Sequence, residues 1–115
     1  MTWRAPKETE VAQVERLLAE EFPGRDALKR QAESAQVEEI DANGSLYFKT
    51  DTRLPVARVV RRIPVEAEVP DRDGVLVHVL LHVLDGRLSE LEIFREDSRP
   101  LIDRPPPDKW EMIVL

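Results

Sequence analysis

His78, His82, Glu90 and Glu92 are the side chains best placed to do chemistry, because the alternation of residues 75–97 gathers imidazoles and carboxylates on one surface. A histidine beside a carboxylate has its charged form favoured, so the chemistry open to this group is general-base work or a contact that responds to pH. The plainer reading is a cross-strand pair on a solvated sheet face, worth roughly a few tenths of a kcal/mol. A single His/Glu pair meets only the first geometric criterion of a catalytic site, so the plainer reading carries more weight and no residue is assigned a catalytic role. A metal site carries little weight, and its missing ligands would have to come from Glu90, Glu92 or Glu66. Histidines four residues apart on a strand stand ~13 Å apart at ~3.3 Å per residue, and zinc ligands at ~2 Å cannot both reach one ion across that gap. Phe94, with Leu76 and Leu80, adds apolar surface to the same face. The candidate binding residues are therefore His78, His82, Glu90, Glu92 and Phe94, with no cofactor motif beside them.

Two strands must position these groups. Val75, Val77, Val79, Leu81 and Val83 fall on one face and His78, Leu80 and His82 on the other, the two-residue period of a strand. Asp85-Gly86 marks the turn. A strict two-residue loop would set Leu81 opposite Glu90, an apolar position against a carboxylate, so the pattern favours a three-residue loop over residues 84–86 with Gly86 in a left-handed bulge. That register pairs Val83 with Arg87, Val79 with Leu91 and Val77 with Ile93. On the polar face it sets His82 across from Leu88, Leu80 from Glu90, His78 from Glu92 and Leu76 from Phe94.

Upstream, Val11, Val14, Leu17, Leu18 and Phe22 recur at helical spacing, predicting an amphipathic helix over residues 6–22 with Pro6 at its first position. Pro23-Gly24 breaks it, and residues 25–34 read as a second, shorter helix with Ala27, Leu28 and Ala32 to pack. From Ala35 onward the pattern is strand. Asn43-Gly44 signals a hairpin between residues 37–41 and 45–49, and residues 57–69 alternate around Pro64, which cannot donate to a ladder and suggests an edge, a bulge or a donor site facing away from a neighbour. Residues 71–74 turn the chain into the central hairpin, and the apolar run 110–115 reads as a last strand. Segregated helices followed by consecutive antiparallel strands give an α+β class: two N-terminal helices, then an antiparallel meander sheet of about five to six strands, in a single domain spanning residues 1–115.

With 115 residues and a formal charge of −6, the chain can bury one core and lacks the net basic footprint that phosphate-backbone binding needs, so no nucleic-acid partner is expected. It has no cysteine, which excludes disulfide scaffolds, thiol nucleophiles and cysteine-ligated metals. No signal peptide or membrane-length apolar run is visible, so the expected setting is soluble and cytoplasmic. The four glycines sit singly at turns, leaving no phosphate-binding loop, and no serine lies in a nucleophile-elbow context. Arg58, Arg61 and Arg62 form a local basic cluster, for which pairing with nearby Glu66 and Glu68 is favoured over phosphate recognition.

Read together, FPGRDAL (residues 22–28), IDANGSL (40–46), RIPVEAE (62–68) and HVLLHVLDGRLSELEIFRED (78–97) resemble an uncharacterised bacterial, largely actinobacterial, family of small acidic proteins, a domain of unknown function. The DGxLxELEI hairpin at residues 85–93 is the most specific part. The resemblance implies no catalytic residue. One departure is Ala5, where Thr or Ser would be expected before the helix-opening proline, a missing cap worth ~1 kcal/mol. The expected function is a small binding or interaction module, alone or as a homodimer. The alternative is a small-molecule enzyme or sensor sited between sheet and helices, with His78, Glu90 and Glu92 as acid/base groups.

Overall fold

The computed structural model describes residues 2–115. Two helices, α1 (Glu8–Leu18) and α2 (Arg25–Ser34), precede six strands: β1 (Gln36–Glu39), β2 (Leu46–Lys49), β3 (Val65–Pro70), β4 (Leu76–Leu84), β5 (Arg87–Arg95) and β6 (Glu111–Val114). They form one antiparallel sheet in the order β1-β2-β5-β4-β3-β6. The α+β class is as the sequence pattern predicts. Consecutive strands pair within β1–β2 and within β3–β4–β5, while β2 passes over to β5 and β6 adds outside β3.

α1 begins later than its periodicity predicts. Pro6 lies ahead of the cap residue Lys7, whose N–H is satisfied by the Glu10 carboxylate at 2.7 Å, so an acid from inside the helix does the work of the missing Ser or Thr. Arg4 pairs with Glu10 at 2.7 Å and holds its carboxyl below the usual range. The helix stops at Leu18 because Arg25 reaches back to the orphan carbonyl of Leu18 at 3.0 Å, and Phe22 packs on the core from outside the helix.

Both helices cover one face of the sheet. Val14, Leu17, Leu18 and Leu28 pack there against Val37, Leu46, Val65, Val77, Val79, Leu81, Leu91 and Ile93, all buried. The opposite face carries the alternate residues and is open.

The central hairpin departs from its predicted register. Leu84 pairs with Arg87, so the turn has only two residues, with Asp85 at φ 51° and Gly86 at φ 75° as a primed turn requires. A bulge follows: Val83 pairs with Leu88 but His82 with Glu90, leaving Ser89 as the extra residue. The bulge removes the apolar-against-carboxylate conflict that a two-residue loop would otherwise produce. Beyond it Val79 faces Ile93, Leu81 faces Leu91, Leu80 faces Glu92 and His78 faces Phe94. Beyond the bulge every predicted pair is shifted by two residues, which preserves which side chains share a face and changes which ones meet; at the turn Val83 meets Leu88 instead of Arg87, so Leu88, expected on the polar face opposite His82, is buried on the inner one.

The strand expected over residues 57–69 begins only at Val65. Residues 57–62 instead wrap the hairpin end, where Ala57 N–H donates to Gly86 O at 2.7 Å and Val83 N–H to Arg62 O at 2.7 Å. Because this segment is a loop, Arg58, Arg61 and Arg62 are exposed and, among the described residues, pair with no carboxylate, contrary to the expected pairing with Glu66 and Glu68. The wrap also fixes Gly86: a Cβ there would stand 2.7 Å from Val56 Cβ and 2.8 Å from Ala57 O. Gly86→Ala is therefore expected to lower stability by about 2 kcal/mol through left-handed strain and overpacking, read as a shift of the urea midpoint at unchanged slope.

Candidate functional site

The pleat of the open face arranges polar side chains in cross-strand rows. Glu38, Tyr47, Glu90 and His82 form one row across β1, β2, β5 and β4. Glu92, Leu80, Glu66 and Ile113 form the next, and Phe94, His78, Glu68 and Glu111 the third. With Glu96 these rows hold seven carboxylates, and the cations beside them are Lys49 and Arg62. Leu80, Phe94 and Tyr47 supply the apolar and aromatic surface between them.

All five predicted site residues lie on this face, but they divide into two groups. His82 Nε2 stands 2.9 Å from Glu92 Oε1, and Arg62 Nε donates to His82 Nδ1 at 3.4 Å, which places the ring proton on Nε2 facing Glu92. Glu90 completes this group: ligating atoms of His82, Glu90 and Glu92 all lie within 4.8 Å of one another. His78, predicted to face Glu92, instead stacks on Phe94, with ring centroids 5.1 Å apart and planes inclined by 25°. Its Nε2 lies 3.4 Å from Glu96 Oε1 and its Nδ1 4.0 Å from Glu68 Oε2. The two-residue shift explains the exchange, because Glu92 moves from His78 to the diagonal of His82 and Phe94 takes its place.

Sequence reasoning missed Arg62, Glu68, Glu96 and Tyr47 as members of this surface. The alternation of β3 already puts Glu66 and Glu68 outward, whereas Arg62 reaches His82 from a loop and leaves no periodic signal. Glu38 Oε2 is buried and, among the described residues, has no hydrogen-bond donor.

A second charged cluster lies on the inner face at the end of the sheet, and it is saturated. Arg95, 3% exposed, bonds Asp71 at 2.8 Å, Asp73 at 2.9 Å and Asp97 at 2.7 Å. Asp71 also accepts the N–H groups of Ile102 at 2.8 Å, Asp103 at 2.9 Å and Arg72 at 2.8 Å. Burial works to raise the Asp71 carboxyl, but those three N–H groups and Arg95 outweigh it and hold it well below the carboxylate range. This cluster ties the turn before β4 to the chain after β5, and every carboxylate oxygen in it accepts at least one hydrogen bond.

A third feature is a groove of about 590 Å³ between the helices and the β1–β2 hairpin, lined by Val11, Val14, Leu18, Val37, Leu46 and Phe48. It lies on the helix side. This groove and the His/Glu groups are on opposite faces of the sheet, and none of His78, His82, Glu90 and Glu92 lines it.

The fold and its surfaces define a small α+β domain with a helix-covered face and an open acidic face. Residues 3–105 match the family described as Domain of unknown function (DUF6984), and the chain belongs to that family. No curated protein and no solved structure matches the chain. Among the described residues, no helix is long and apolar enough to cross a membrane.

Proposed function

We propose that this protein is a small binding module whose open sheet face captures a basic protein surface in the cytoplasm. The observation that carries the reading is the composition of that face: Leu80, Phe94 and Tyr47 within rows of carboxylates that outnumber the cations Lys49 and Arg62 beside them. Apolar anchors ringed by charge are how many interfaces are built. A second copy docked face to face would press carboxylates against carboxylates, a juxtaposition that costs affinity, so a partner rich in Arg and Lys is the better fit.

The test is fluorescence anisotropy with a labelled peptide of alternating Arg and Leu. The parent should bind in a salt-sensitive way. Glu90→Lys/Glu92→Lys should weaken binding by roughly tenfold or more, while Glu8→Lys/Glu15→Lys on α1 should not. Equal weakening by both pairs would make the attraction one of net charge and sink the assignment to this face. So would sedimentation showing a dimer that Leu80→Lys dissociates, because the face would then belong to a second copy.

A further inference from the structure

The geometry points to a binding site for one divalent transition ion of the zinc type, formed by His82, Glu90 and Glu92 on the open face. It rests on the same reading of that face as the working surface, and names a ligand other than the protein partner. Histidines 78 and 82 cannot share an ion, but one histidine with two carboxylates can hold one, and those three side chains converge. Their ligating atoms lie within 4.8 Å of one another, against ligand distances of ~2 Å from zinc, so small rotations of two glutamate side chains close the site.

Three further features support it. The donors stand on adjacent strands rather than loops, and the bulge at Ser89 is what sets Glu90 directly opposite His82. The Glu90 carboxylate, half-buried beside that of Glu92, receives no side-chain or backbone hydrogen bond among the described residues, while the one imidazole proton goes to Glu92 at 2.9 Å. Two neighbouring carboxylates sharing a single donor repel each other, and a doubly charged cation relieves that directly. The donor set is one nitrogen and two carboxylate oxygens, suited to zinc rather than to calcium or magnesium, which take oxygen ligands. Three protein ligands leave a position open to water or an exchangeable group.

Arg62 sets the condition for loading. Its N–H points at His82 Nδ1, which favours the tautomer with the proton on Nε2, whereas a metal on Nε2 needs that proton on Nδ1. Arg62 is exposed and must swing away when the ion binds. It acts as a positioning residue that opposes the metal.

The experiment is calorimetric titration of the tag-free full chain with zinc chloride, with magnesium and calcium chlorides for comparison. One equivalent of zinc should bind, with magnesium and calcium giving little heat. His82→Gln should abolish binding, Glu90→Gln and Glu92→Gln should each weaken it by ~10-fold or more, His78→Gln should leave it unchanged, and Arg62→Gln should tighten it. Absence of stoichiometric zinc binding in the parent overturns the proposal. Binding that survives His82→Gln, or is lost in His78→Gln, overturns it equally. No partner is needed for this measurement, so its failure leaves the basic-partner reading standing, and failure of the peptide assay leaves the metal site standing.

Discussion

Replacing Arg95 by Met should lower the melting temperature at neutral pH by roughly 15–25 °C, as expected for removal of one member of a buried ionic network in a domain of this size. Arg95 is an arginine at an apolar position: it continues the buried series Leu91 and Ile93 and pairs across with Val77. Methionine would fill the volume of its stem. What it cannot supply is the planar fork of donors that bonds Asp71, Asp73 and Asp97 together. Removing it leaves three carboxylates converging, one of them with a fully buried side chain. Arg95→Lys should recover only part of the loss, because a point charge cannot bond three carboxylates in that geometry. The pH dependence has a definite sign. Asp97 is held down to about 2 by Arg95 and by the Arg99 N–H, and Asp73 is held below its usual value by Arg95 and the Val75 N–H. Groups depressed in the folded state contribute stability that is complete above their unfolded values, near 3.8, and lost as pH falls through the folded ones. Calorimetry should therefore find the gap between parent and variant widest above about pH 4 and narrowing toward pH 2. A gap that is constant with pH would mean that Arg95 acts through packing alone.

Most of the open face was legible because it depends on parity. Alternation places His78, Leu80 and His82 on one side whatever the turn, and a register error of two residues leaves that side unchanged. Which residues meet depends instead on a bulge at Ser89, and a bulge has no compositional marker here: Ser89 looks like any outward-facing strand residue. The same limit applies to Arg95. Its inner-face parity was a usable signal, a charge where the pattern demands a hydrophobe, but its partners come from turns 22 to 24 residues upstream and from Asp97. Such closure is tertiary and is not written in local spacing. Residues 57–62 alternate as a strand would, and were drawn into a loop because the hairpin end offered their backbone Gly86 O and Val83 N–H.

Gln31→Leu should destabilise the protein by about 2–4 kcal/mol, since it strands the buried Leu88 N–H at about 1–3 kcal/mol and removes the hydrogen bonds to Gly86 O and to the carbonyl of the exposed Pro55. The apolar stripe of α2 is thin because the residue that belongs in it is this glutamine, which has no exposed surface. Its amide donates to Pro55 O at 3.1 Å and Gly86 O at 3.0 Å, and its oxygen accepts the Leu88 N–H at 3.0 Å. Gly86 O keeps the Ala57 N–H in the variant, whereas Leu88 N–H and Pro55 O have no replacement shown. Gln31→Glu separates the two halves of the amide: it preserves the acceptor for Leu88 but turns a carboxylate toward two carbonyls. Burial raises that acid in the folded state, so this variant should be least stable at neutral pH and recover as pH falls toward the unfolded glutamate value near ~4.3, the reverse of the Arg95 network. Leu88 adjoins Ser89, so the glutamine holds the residue at which the hairpin register changes, and that register places Glu90 opposite His82. In Gln31→Leu, hydrogen exchange at the Leu88 amide should accelerate more than at Leu81 or Leu91, and zinc affinity should fall although no ligand has been touched. Unchanged protection at Leu88 would mean that the two-residue turn alone holds the bulge, and that the open face is independent of the helix behind it.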